Sequence, residues 1–156
     1  MRTRELNHPT AAQRKRVSQI LTDAFWRTAM FSGYLFRGQK SLAKWFLHGA
    51  GLAIILPAWM RYAAQKAPKK LAQFATDVFD VPACLGEEQQ VALEGVARLE
   101  SFFRALSMPT NLREAGITNC DYVALAARAL PNADATTGEY IRMRREDMVA
   151  IYRLAE

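Results

Sequence analysis

Two imidazoles, His8 and His48, and two thiols, Cys84 and Cys120, are the side chains in this sequence best suited to metal ligation or nucleophilic work. His48 stands near the start of FLHGAGLAIILPAWMRYA, residues 46–63, ahead of two glycines, an apolar run, a proline and a tryptophan. A neutral imidazole is a common ligand for iron or zinc when other donors join it. Alone at a helix start, it is more often a hydrogen-bonded ring. Cys84 in VPACLG and Cys120 in TNCDY lack CxxC spacing and a histidine nearby in sequence, so both read as buried or inert thiols. The carboxylate pairs Glu87 with Glu88 and Glu146 with Asp147 are adjacent, and adjacent residues on a helix point in different directions. They read as solvated first-turn charges. Trp26, Trp45 and Trp59 read as core or interface residues.

The elements that must position these groups all read as helical. Val17, Ile20, Leu21, Ala24 and Phe25 recur at three- and four-residue spacing, the stripe of an amphipathic helix, and Gly33 and Gly38 break the pattern after it. The apolar run through Met60 into RYAAQK predicts a mostly buried helix, with Pro57 kinking it or marking a boundary. PKKLAQFATDVFDV, EEQQVALEGVARLESFFRALSM and NCDYVALAARAL each carry helical spacing with an Ala/Leu-rich face. Pro68 suits a first helical turn, and TNLREAGI reads as a short capped turn ended by Gly116. RREDMVAIYRLAE closes the chain as a helix with Met148, Ile151, Tyr152 and Ala155 on one face. No alternating strand run and no internal repeat is present, so the fold class is an all-α helical bundle.

Composition narrows the function classes. At 156 residues, 51% apolar and 23% charged, the chain has the size and balance of one globular domain rather than a disordered segment. Two distant cysteines point to a reduced, cytoplasmic protein rather than a secreted disulfide scaffold. The run from Trp45 to Met60 is 16 residues long and holds Gly49, Gly51 and Pro57, short of the ~20 residues a bilayer requires. Asp23 and Arg27 likewise disqualify the N-terminal stretch as a signal sequence. The formal net charge of +6 is unevenly placed: residues 1–44 carry nine Lys or Arg against Glu5 and Asp23, while residues 45–156 carry twelve against thirteen acids. That shift divides the chain into a basic helical segment, 1–44, and a second unit, 45–156.

Three blocks of the second unit, HGAGLAIILPAWMRYAAQKAPKKLAQFATDVFDV, ALEGVARLESFFRALSMPTNLREAGI and REDMVAIYRLA, resemble in order and spacing the C-terminal helical domain of the iron-containing alcohol dehydrogenases. The likeness is to the branch of NAD(P)H-dependent butanol dehydrogenases and aldehyde reductases and covers about residues 48–156. It implies a two-domain design: an α/β domain binds the nicotinamide cofactor, and a helical domain holds a divalent metal through one Asp and three His. That metal polarises the carbonyl or alcohol oxygen for hydride transfer. The histidine of HG-x-G-LA is one such ligand, which makes His48 the metal ligand implied here. Gly49 and Gly51 would let backbone approach closely beside it, with the apolar run anchoring it on a rigid helix.

The chain departs from the family pattern elsewhere. The family's Asp and first His lie four residues apart on one helix, whereas Asp23 here is followed by Arg27. Its middle His falls where this chain reads FRGQKSLAKWFL, and His8 matches no ligand position. One of four implied ligands is present, so an Fe2+ or Zn2+ site is incomplete. Ahead of residue 48 there is no Gly-rich strand-to-helix turn, and the stretch is too short for a dinucleotide domain, so NAD(P)H binding needs a cofactor domain supplied from elsewhere. The expectation is a truncated family member, inactive alone. The rival reading is a binding module. Arg14, Lys15 and Arg16, with Arg2, Arg4, Arg27, Arg37, Lys40 and Lys44 and with Phe31, Tyr34 and Phe36 between those charges, could meet a phosphate backbone, although a solvated basic face outweighs nucleic-acid binding. An exposed apolar face predicts instead self-association or docking onto an intact homologue.

Overall fold

The computed structural model describes the backbone from residue 43 and the side chains from residue 49, both through residue 156. The basic segment, with His8, Trp26 and the proposed nucleic-acid face, lies outside the described residues apart from the backbone of its end. Within them the chain forms five α-helices: α1 (Ala43–Lys66), α2 (Lys69–Phe79), α3 (Glu88–Ala105), α4 (Tyr122–Ala129) and α5 (Arg145–Leu154). A 3-10 turn, Ala83–Leu85, precedes α3, and the sole sheet-like pairing among the described residues is an isolated antiparallel bridge between Thr137 and Met143. The all-α expectation holds.

The composition of α1 sets its place. Residues 50–58 are buried on every side, the signature of a helix with no polar face to turn to water. It therefore runs through the bundle, in contact with α2, α3 and α5. Pro57 is fully buried, and the helix continues unbroken through it to Lys66, so it marks no boundary. The cost of the missing N–H is absorbed by packing on all sides.

Helices α2 and α3 pack closest. Leu71, Ala72, Phe74 and Ala75 face Val91, Ala92, Gly95, Val96 and Leu99, both sets at three- and four-residue spacing. A Cβ built on Gly95 would stand 2.3 Å from the Ala75 Cβ, so glycine is what allows these backbones to meet. Helix α2 follows Pro68 as the sequence predicts and ends on Asp80 in the left-handed conformation, φ 53°. Helix α3 closes through Ser107, φ 58°, with the Met108 N–H donating to the Phe103 carbonyl at 3.0 Å. Asp121 caps α4 by accepting from the Val123 and Ala124 N–H groups at 3.1 and 3.0 Å. On α5, Met148, Ile151, Tyr152 and Ala155 are all buried, as their spacing requires.

Candidate functional site

His48 occupies the second turn of α1, one residue before Gly49; its side chain lies outside the described residues, and so does Trp45. What surrounds that end of the helix is legible from Gly49 onward. A Cβ on Gly49 would sit 3.3 Å from the Met108 Cε, so α1 runs close to the turn that leaves α3. Gly51 is buried. Among the described residues, what approaches Gly49 is the end of the Met108 side chain and not backbone.

The turn that follows Met108 is the predicted TNLREAGI cap. Glu114 accepts from the Thr110 N–H at 2.8 Å and the Thr110 hydroxyl at 3.2 Å, while Asn111 Oδ1 accepts from the Glu114 N–H at 2.7 Å. The Thr110 backbone N–H, first among these partners, holds the Glu114 carboxyl below the usual carboxylate range. Gly116 ends the turn at φ 73°, and the buried Leu112 donates its N–H to the Ala155 carbonyl at 2.7 Å, tying the turn to the end of α5.

Among the described residues, no three His, Cys, Asp or Glu side chains come together around a common point. Cys84 is exposed, in a 3-10 turn with no buried residue, which corrects the buried reading for that thiol; Cys120 is partly exposed. Glu87 and Glu88 are solvated at the start of α3, as expected. The described donors do not fit an iron or zinc centre, because such a centre needs three or four converging ligands.

The polar constellation the structure does assemble lies at the other end of α1. Asp147 was expected to be a solvated first-turn charge; instead it is largely covered, its side chain 19% exposed. The Tyr62 hydroxyl and Lys66 Nζ, the latter at 2.8 Å, donate to Asp147 Oδ1, and the Arg144 backbone N–H donates to Oδ2 at 2.6 Å. The carboxylate thus caps α5 and pins it to α1. Burial on its own would raise the Asp147 carboxyl; hydrogen bonds from Arg144, Lys66 and Tyr62 outweigh it and hold the group below its ordinary value. Burial first, then the hydrogen bond to Asp147, pushes the Tyr62 phenol up, so Tyr62 stays protonated at neutral pH and acts as a donor rather than a base. Lys66 is raised by its bonds to Asp147 and Tyr62 and sits 4.5 Å from the Tyr62 ring centroid. The arrangement is a clamp. An open groove of about 770 Å³, lined by Tyr62, Val123, Ala126, Arg145 and Val149 among others, adjoins it. Tyr62 is 14 residues beyond His48, about 21 Å along the helix, so that groove is remote from the HG-x-G-LA end.

With this geometry in place, the similarities to known proteins are specific. The family model for Fe-containing alcohol dehydrogenases, C-terminal, matches residues 45–155. The chain therefore belongs to the iron-containing alcohol dehydrogenase family, of which it carries the C-terminal helical domain. Probable NADH-dependent butanol dehydrogenase 1 of Bacillus subtilis is 32% identical over 106 residues, 68% of this chain and 27% of the relative. NADH-dependent butanol dehydrogenase A of Clostridium acetobutylicum is 28% identical over 107 residues, with the same shares. The chain thus spans about a quarter of the length of the curated relatives it matches. Among solved structures, NADH-dependent butanol dehydrogenase A of Thermotoga maritima superposes with a TM-score of 0.67 at 28% identity, over 83% of this chain and 32% of that one. The YqhD protein of E. coli K-12 superposes at 0.69 over 84% and 32%; at 24% identity it speaks for the fold alone. Among the described residues, no helix is long and apolar enough to cross a membrane.

Proposed function

We propose that this chain is the helical-domain part of an NAD(P)H-linked alcohol or aldehyde oxidoreductase, truncated relative to the complete enzyme and without turnover on its own. The observation that carries the reading is the family match over residues 45–155, which begins just ahead of His48 and runs through every helix described. Butanol dehydrogenase relatives make a short-chain alcohol or aldehyde the natural substrate class. The described donors do not build a metal centre, so in a complete enzyme His48 would supply one ligand for iron or zinc, and the remaining donors and the nicotinamide-binding domain would come from other polypeptide. Docking onto an intact homologue is the corresponding partner, in the cytoplasm. What this chain's described residues would contribute is a frame: a buried helix running on from His48 and a self-capped turn that follows Met108.

A chimera tests this. Residues 45–155 are placed in the Bacillus subtilis relative in place of the region they match, and butanal-dependent NADH oxidation is followed at 340 nm. The expected result is retained turnover that falls at least a hundredfold in His48→Ala, the scale on which losing an essential site residue acts. A folded chimera whose activity is indifferent to His48→Ala would overturn the assignment of His48.

A further inference from the structure

We infer that this helical domain holds its fold without a bound metal: protein groups on α1, α3 and α5, not a coordination sphere, tie its helices together. The inference goes beyond the proposed function, because it concerns folding of this chain and not turnover of a complete enzyme.

The donor chemistry points there first. A metal that contributes to folding does so by tying side chains from different elements into one coordination sphere. Residues 49–156 contain no histidine at all, and their acids and thiols do not converge. Cys84 is out in solvent on the 3-10 turn, and the buried carboxylate Glu100 is already engaged. No described element depends on a metal for its position.

Protein groups make the described cross-element ties instead. The Arg61 guanidinium meets the buried Glu100 of α3 through two contacts, 2.5 and 2.6 Å. Tyr62 and Lys66 hold Asp147 of α5, and the Ala67 carbonyl, just past α1, accepts from the Tyr140 hydroxyl. Arg61 lies 13 residues beyond His48, about 20 Å along the helix axis. At the near end, the Met108 methyl, just ahead of the TNLREAGI turn, lies against Gly49. That turn is closed by its own Thr110, Asn111 and Glu114 bonds and by Leu112 on Ala155, so no ligand is needed to shape it.

The test uses the full 156-residue chain. Its melting temperature is recorded by far-UV circular dichroism as purified, after dialysis against excess EDTA, and after adding back Zn2+ or, anaerobically, Fe2+, with bound metal counted by mass spectrometry at each stage. The expected result is a melting temperature that moves by less than about 2 °C on stripping, below what even one modest interaction produces in a domain of this size. Metal that copurifies but is stripped without a change in melting still supports the inference. A drop of several degrees on stripping, restored by either metal, overturns it. A chimera that turns over leaves this outcome open, and a metal-dependent fold leaves the dehydrogenase reading intact, so the two fail separately.

Discussion

Asp147 shows how a single carboxylate can be misread from sequence. Next to Glu146 in RRED it has the look of a solvated first-turn charge, and its role depends on Tyr62 and Lys66, which lie 85 and 81 residues away in sequence. No local pattern encodes such a pairing; only the packing of α1 against α5 creates it. Asp147→Ala removes three hydrogen bonds from a mostly covered group and should lower stability by about 2–3 kcal/mol in urea titration. The pH dependence follows from the sign of the shift. Asp147 ionises more readily folded than unfolded, so its contribution is present above the unfolded value near pH ~3.9 and is lost as pH falls through the lower folded value. The stability of the wild-type chain should therefore decline more steeply on acidification below about pH 4 than that of Asp147→Ala; parallel curves would remove Asp147 from the account. His48 differs in kind: its type and motif are legible in the sequence, and its side chain lies outside the described residues.

At the level of elements, the helices were the readable part. The spacing of Met148, Ile151, Tyr152 and Ala155 on α5 foretold its buried face, because a 3.6-residue period leaves little freedom about which side packs. Pro68 and the Gly116 turn announced themselves through backbone chemistry that holds in any context. The segment between α4 and α5 was silent, since its order comes from distant partners. Tyr140 donates to the Ala67 carbonyl and packs 6.1 Å from the Trp59 ring, while Arg145 donates to the Leu130 carbonyl at 2.8 Å and to that of Pro131. Gly95 was equally unreadable, being one helical glycine among ordinary residues. Intrinsic propensity would favour alanine there by about 1 kcal/mol. The contact with Ala75 reverses that preference, because the added methyl would force α2 and α3 apart. Gly95→Ala should thus destabilise by about 1–3 kcal/mol in chemical denaturation, whereas Gly49→Ala, opposed among the described residues by the flexible end of Met108, should change stability by less than about 1 kcal/mol. A stabilised Gly95→Ala would mean that the α2–α3 approach is looser than described.

For the molecule as a whole, the fold and the family were carried by the order of three sequence blocks, and the match over residues 45–155 agrees with them. The part matched here amounts to 27% of the Bacillus subtilis relative. The described residues form a buried helix that runs on from the HG-x-G-LA end and a self-capped turn after α3. The most direct measurement is NADH and NADPH oxidation by the purified 156-residue chain with butanal and added Fe2+ or Zn2+. The account predicts a rate indistinguishable from protein-free buffer with either cofactor; sustained oxidation that disappears in His48→Ala would contradict it, and would mean that these residues form a complete active site.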